Sequence, residues 1–169
     1  MRSAVVRTDR YARGSIVFHW MIALAILINL FIGIAHDALP GGSMPVHKAL
    51  GITVLVLTIA RLAWRMAHRP PPPTVDMPMW ERVAANASHW ALYAFSILVP
   101  LTGWAMVSGA EVRRPLDWFG LFPIPYLPVS RSVAGAAHEG HEILGFALLA
   151  LVVLHTLAAL RHHLILRDS

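Results

Sequence analysis

HEILGFALLALVVLH, residues 141–155, reads as membrane-spanning hydrocarbon with an imidazole at each end, His141 and His155. A run this apolar, continued by TLAAL to Leu160, is long enough to cross a hydrocarbon core of about 30 Å, which takes roughly 20 residues in a helix. Ionisable side chains inside such a helix are expensive and are functional by default. The two histidines therefore raise two questions: what the rest of the chain looks like, and what the imidazoles meet.

The rest of the chain has the same character. Of its 169 residues, 57% are hydrophobic and 14% charged. Three further apolar segments pass the spanning test, so the expected architecture is all-α, a single transmembrane four-helix domain over residues 1–169. Its helices are expected near 15–35, 47–64, 88–108 and 138–160. The first segment is longer than a secretory signal core and no small-residue cleavage site follows, so it reads as a mature helix. The chain has no cysteine, which excludes disulfides, thiolate iron–sulfur sites and covalent C-x-x-C-H haem attachment. The formal charge of +5 comes from arginines at the ends of apolar runs rather than from a dense patch, so it points to membrane topology and not to nucleic acid.

Those arginines orient the bundle. Arg2, Arg7, Arg10 and Arg13 precede helix 1, Arg61, Arg65, Arg69 and Arg82 flank the connection between helices 2 and 3, and Arg161 and Arg167 follow helix 4. The other face has only Lys48, Arg113, Arg114 and Arg131. The positive-inside rule places both termini in the cytoplasm. The inner connection carries HRPPPPT, a stiff polyproline spacer, and the outer one DWFGLFPIPYLP, expected as a non-helical interfacial cap.

With the sides assigned, the rise of ~1.5 Å per residue gives depths. His19 lies six residues inside Arg13 and His155 six inside Arg161, so the two share a layer. Fourteen residues outward from His155 is His141, near where helix 2 begins with His47, which defines a second layer. The same spacing links His47 to Arg61, His19 to Gly33 and His89 to Gly103. Fourteen is two heptads, and a helix drifts only ~20° per heptad, so the members of each pair face the same way. The inner layer then contains His19, Arg61, His89 and His155, and the outer layer Gly33, His47, Gly103 and His141.

Two matched histidine pairs at two depths fit haem better than isolated interhelical hydrogen bonds. Axial imidazoles from facing helices give a six-coordinate low-spin centre suited to electron transfer, and a helical bundle is a usual frame for one. HKALG and HEILG also place Gly51 and Gly145 four residues after a histidine, on the same face, where a porphyrin needs room. From spacing alone His89 stays a third candidate in the inner layer. Arg61 suits a haem propionate or snorkels to headgroups, and His89 contacts a propionate or caps helix 3 with Ser88. His162, seven residues past His155, is a candidate for proton exchange with a quinone, or part of an RHH cluster for lipid headgroups. HEGH at 138–141 lacks the H-E-x-x-H pattern and a third ligand. Pro100 and Gly103 interrupt the pattern of helix 3, and the six tryptophans read as an aromatic belt.

The segments GSIVFHW, MPVHKALGITVLVLTIARLAWR, SHWALYAFSILVPLTGW and HEGHEILGFALLALVVLHTLAALRHHLILRD, which together cover all four helices, resemble the bacterial cytochrome b561 family. The resemblance implies a di-haem inner-membrane cytochrome with two haem b groups. It implies His19 and His155 as axial iron ligands on the cytoplasmic side and His47 and His141 on the periplasmic side, with His89 as a neighbour. It further implies electron transfer between a periplasmic donor and the ubiquinone pool, with superoxide:ubiquinone oxidoreductase activity as one form. Lys48, Arg113, Arg114 and Arg131 could attract such a small anion, against Asp37, Glu111, Asp117 and Glu139 on the same side. The competing readings are a haem-bearing anchor subunit for a separate dehydrogenase and a haem-free proton or metal transporter. The second is disfavoured by the scarcity of Asp and Glu in the helix interiors.

Overall fold

The computed structural model describes residues 13–39, 41–68 and 78–166. Arg2, Arg7, Arg10, Arg69, Arg167 and most of the polyproline spacer lie outside the described residues. Four long helices dominate: α1 (Arg13–Ala35), α2 (Ser43–Ala67), α3 (Met79–Ser108) and α4 (Arg131–Leu160), the last continued by a π-helical turn, Arg161–Leu166. All four are long and apolar enough to cross a membrane, and the shortest of the crossing segments, Gly14–Ala35, has 22 residues. The protein is thus a transmembrane four-helix bundle, as the hydropathy indicates. The large side chains exposed along the helices, among them Leu24, Phe31, Val56 and Ile143, are an ordinary surface where the surrounding solvent is lipid.

Helix ends differ most from expectation. The α3 helix starts nine residues before Ser88, through MWERVAANA, and α4 starts seven before His138, through RSVAGAA. Hydropathy registers only the lipid-embedded part of a helix, whereas alanine-rich polar turns extend it at no propensity cost. Ser130 caps α4, its side chain accepting from the Val133 amide at 3.3 Å. His89 therefore lies in the interior of α3 and cannot cap it, and Ser88 instead donates back to the Ala85 carbonyl at 2.9 Å. Pro100 is buried inside a helix that runs on through it, lacking only the N–H that would reach the Ser96 carbonyl.

The α1 helix packs on α2, α2 on α3 and α3 on α4. The core sits at mid-height, where Ile22, Ala25 and Ile26 of α1 meet Val54 of α2 and Leu148 of α4, with Leu92, Phe95 and Val152 packed around them. Ile26, Val54, Ser96 and Leu148 each stand seven residues from both layer positions on their own helix, and all four are buried. They form a septum between the two layers.

At the outer end the connection is a pinned structure rather than a loose cap. Asp117–Trp118 and Phe122–Pro123 pair as a short antiparallel hairpin (β1, β2). Phe119 and Gly120 turn it with φ of 49° and 73°, both left-handed, within a three-residue loop closed by the Leu121 amide donating to the Trp118 carbonyl at 2.9 Å. Trp118 Nε1 donates to Thr53 Oγ1 at 3.0 Å, Trp104 Nε1 to the Pro125 carbonyl at 3.0 Å, and the Leu127 amide to Ser108 Oγ at 2.9 Å. Two tryptophans assigned to an interfacial belt are therefore fasteners of the hairpin.

Candidate functional site

The outer layer assembles from α2 and α4, with α1 and α3 as walls. His47 and His141 face each other with ring centroids 6.0 Å apart and planes 86° apart. His47 Nδ1 meets the Asn29 carbonyl at 3.1 Å and His141 Nδ1 meets the Val99 carbonyl at 2.9 Å, with Thr102 Oγ1 at 3.3 Å. A carbonyl accepts only, so each Nδ1 carries its proton and each Nε2 keeps a free lone pair. This is the hydrogen-bond pattern that orients an imidazole as an Nε2 metal ligand.

The fourteen-residue partners of His19 and His89 explain themselves here. A Cβ on Gly33 would stand 3.1 Å from His47 Cε1, and one on Gly103 would stand 3.0 Å from His141 Cε1. Both glycines let a helix backbone approach the ring. Gly51 and Gly145 do something else: a Cβ on Gly145 would meet nothing within 4 Å, and both residues border a cavity of about 1170 Å³ shared by all four helices. That cavity contains His47, His141, His138, Asn29, Lys48 and Arg114 in its wall, and it exceeds the ~300–1,000 Å³ of common small-ligand sites. Asn29 Oδ1 is buried there without a partner.

The inner layer brings together three histidines and one arginine. His19 and His155 have ring centroids 6.4 Å apart at 71°, and His89 stands 5.6 Å from His155. Half-buried Arg61 does not reach for headgroups: its Nη1 lies 3.2 Å from His19 Nδ1 and its guanidinium carbon 5.4 Å from the ring centre of buried Tyr93. Arg65 approaches the same ring at 6.0 Å. At the inner mouth Arg161 pairs with Glu81 at 3.5 Å, joining the ends of α3 and α4. His162 follows in the π-helical turn, an irregularity often found at functional positions.

Among the other sequence candidates, His36 pairs with Asp37 at 3.2 Å in an exposed position, and Arg131 with Glu111 at 3.0 Å. Lys48 Nζ donates to the Pro115 carbonyl. Sequence reasoning missed the partners of the outer histidines. Asn29 and Val99 act through backbone carbonyls, which carry no residue signature, although each stands one turn before a layer glycine. Tyr93, one turn from His89, was legible by that spacing.

Similarity to known proteins agrees with this geometry. The family model for prokaryotic cytochrome b561 matches residues 10–169. Cytochrome b561 homolog 2 of Escherichia coli (strain K12) is 29% identical over 168 residues, covering 95% of this chain and 88% of its own. The probable superoxide oxidase CybB of Yersinia pestis is 28% identical over 167 residues, covering 95% and 92%. Cytochrome b562 of Cereibacter sphaeroides is 27% identical over 168 residues, covering 94% and 90%. The chain, a multi-pass bacterial membrane protein of the electron-transfer and haem b class, belongs to the prokaryotic cytochrome b561 family.

Proposed function

We propose that the protein carries electrons across the inner membrane through two b haems, one per histidine layer, from a periplasmic donor to the ubiquinone pool. The observation that carries this reading is the pair of facing imidazole couples, at 6.4 Å and 6.0 Å, on either side of a packed septum. Each couple brings imidazoles from two different helices face to face at one depth. Carbonyl partners on His47 and His141, and ring-facing glycines at 33 and 103, supply the orientation and close approach that such a site needs.

His19 and His155 hold the inner haem iron and His47 and His141 the outer one, with Arg61 and His89 as polar neighbours of the inner group and Gly51 and Gly145 leaving room beside the outer group. Haem b supplies the one-electron couple. The residues would bind it and orient the imidazoles that hold its iron. The termini are cytoplasmic, by the arginine bias at the inner end. At the outer end Lys48 and Arg114 in the cavity wall would attract a small anionic donor, against Glu111 and Glu142 in the same wall. Superoxide is such an anion, and one relative is named a probable superoxide oxidase. His162 at the inner mouth is suited to deliver a proton to a quinone being reduced there.

The test is a visible spectrum and haem count on the purified protein, followed by single His→Ala changes. Split low-spin b-type bands and about two haems per chain are expected. His19→Ala and His155→Ala should remove one and the same haem, His47→Ala and His141→Ala the other. Loss of a haem in His89→Ala with none lost in His19→Ala would overturn the inner assignment. An isolated protein whose haems are reduced but do not pass electrons to quinone would favour an anchor subunit.

A further inference from the structure

We propose that Arg61 makes the inner layer the electron-holding end of the protein, by raising the reduction potential of the haem there above that of the outer one. The inference rests on the two-haem reading above and adds a direction to it. Its basis is an asymmetry between two otherwise matched layers.

At the inner layer the Arg61 guanidinium stands 3.2 Å from Nδ1 of His19 and packs on Tyr93, with Arg65 on the same ring. Among the described residues no carboxylate pairs with either arginine. Glu81, the acid at this end, is engaged by Arg161 at 3.5 Å. At the outer layer the cavity wall carries Lys48, Arg114 and Arg131 but also Glu111 and Glu142, and Arg131 is tied to Glu111 at 3.0 Å. The inner layer thus has an excess of fixed positive charge, and the outer layer has charges of both signs. A propionate drawn to Arg61 would cancel one inner charge and leave Arg65.

Reduction places one more negative charge on a haem. With Nε2 of His19 given to iron its Nδ1 would keep the proton, so Arg61 would act through its charge and not as a hydrogen-bond donor to the ring, and a fixed cation a few ångströms away in surroundings of low dielectric favours the reduced form. The ligand hydrogen bonds act in the same direction. At the outer layer both imidazoles donate Nδ1–H to carbonyls, which makes them stronger electron donors to a metal and favours the oxidised form. Arg61 has donors only, so it gives His19 no such acceptor. In the transfer itself the outer iron loses one electron and is oxidised, the inner iron gains it and is reduced, and no proton has to move between the layers.

Redox titration of the purified holoprotein tests this, with the component missing from His155→Ala identified as the inner haem. The inner component is expected to titrate above the outer by at least a tenfold change in the oxidised-to-reduced ratio, about 59 mV for a one-electron couple. Arg61→Gln should lower the inner component by a similar factor and leave the outer in place, while Arg61→Lys, which keeps the charge, should hold the inner component within a few-fold of its original position. The proposal is overturned if the inner component titrates at or below the outer in the unmodified protein. It is also overturned if Arg61→Gln leaves the order intact, or if Arg61→Lys falls as far as Arg61→Gln. Should Arg61→Gln lose its inner haem, the unmodified order and the lysine variant still decide. A failure of the two-haem reading looks different, because His155→Ala would then remove no haem.

Discussion

Trp118, in the outer hairpin, donates its indole proton to the hydroxyl of Thr53 on α2 at 3.0 Å, and Thr53 in turn donates to the Ala49 carbonyl at 2.9 Å. A two-residue-per-strand hairpin is not stable on its own. Its position at the outer end therefore depends on this link and on Trp104 and Ser108 of α3, which hold the chain just after it.

Trp118→Phe should free the hairpin at a cost of about 0.5–1.5 kcal/mol, the net worth of one hydrogen bond. Thr53→Val removes the same bond, so the double variant should cost clearly less than the sum of the two singles. Hydrogen exchange at residues 117–123 measures it: full additivity would mean that the indole and hydroxyl are not coupled.

On the two-haem reading, Gly103→Ala should weaken the outer haem selectively. The new methyl would sit 3.0 Å from His141 Cε1 and 3.2 Å from its Nδ1, the nitrogen bonded to the Val99 carbonyl, so the imidazole must tilt away from its orienting partner. Disturbing such a partner typically costs about 10–100-fold in affinity for the bound metal group. Haem occupancy in the purified protein, resolved by spectrum into its two components, reads this directly. The inner component should be retained.

Leu148→Ala opens the septum. Leu148 is 4% exposed and packs with Ile26 and Val54, and such truncations cost about 2–5 kcal/mol. Thermal inactivation in detergent should show a loss of that order, whereas Leu154→Ala, at a position 64% exposed and turned outward to lipid, should change it little.

Thr58→Val should leave stability unchanged or raise it. Thr58 is 1% exposed, yet its hydroxyl has no partner, in contrast to Thr53, Thr102, Ser108 and Thr156, which all bond back to the carbonyl four residues earlier. Replacing a buried unpaired hydroxyl by a methyl removes a desolvation cost of about 1–3 kcal/mol. A clear drop in melting temperature would show that the hydroxyl is hydrogen-bonded in the working protein.

Much of this arrangement was legible in the sequence because a helix converts spacing into depth and direction. His141 and His155, fourteen residues apart, had to face one way, and the recurrence of that interval on α1, α2 and α3 gave the two layers. What spacing cannot do is choose among residues on one level. His19 and His89 both reach the neighbourhood of His155, at 6.4 Å and 5.6 Å, and only the resemblance distinguishes them. The septum was within reach and overlooked, since Ile26, Val54, Ser96 and Leu148 are the midpoints of the same four intervals. The hairpin was not: Phe119 adopts a left-handed conformation that its side chain disfavours, and it does so because Asp117 Oδ1 takes the Gly120 amide at 2.6 Å and the indoles pin the strands. A local Asp117–Gly120 bond and the tertiary contact of Trp118 with α2 together shape that segment.

The septum also bears on the membrane as an electrical element. Ile26, Val54 and Leu148 are hydrocarbon, and Ser96 contributes the one hydroxyl among these four septum residues, so among the described residues the septum itself offers no file of polar groups along which protons could hop. An electron that passes from one layer to the other does so without a compensating ion beside it. Each transfer therefore works with or against the transmembrane voltage, at about 2.3 kcal/mol per charge per 100 mV for a full crossing. On the two-haem reading the protein would behave as an insulated conductor whose turnover charges or discharges the bilayer around it.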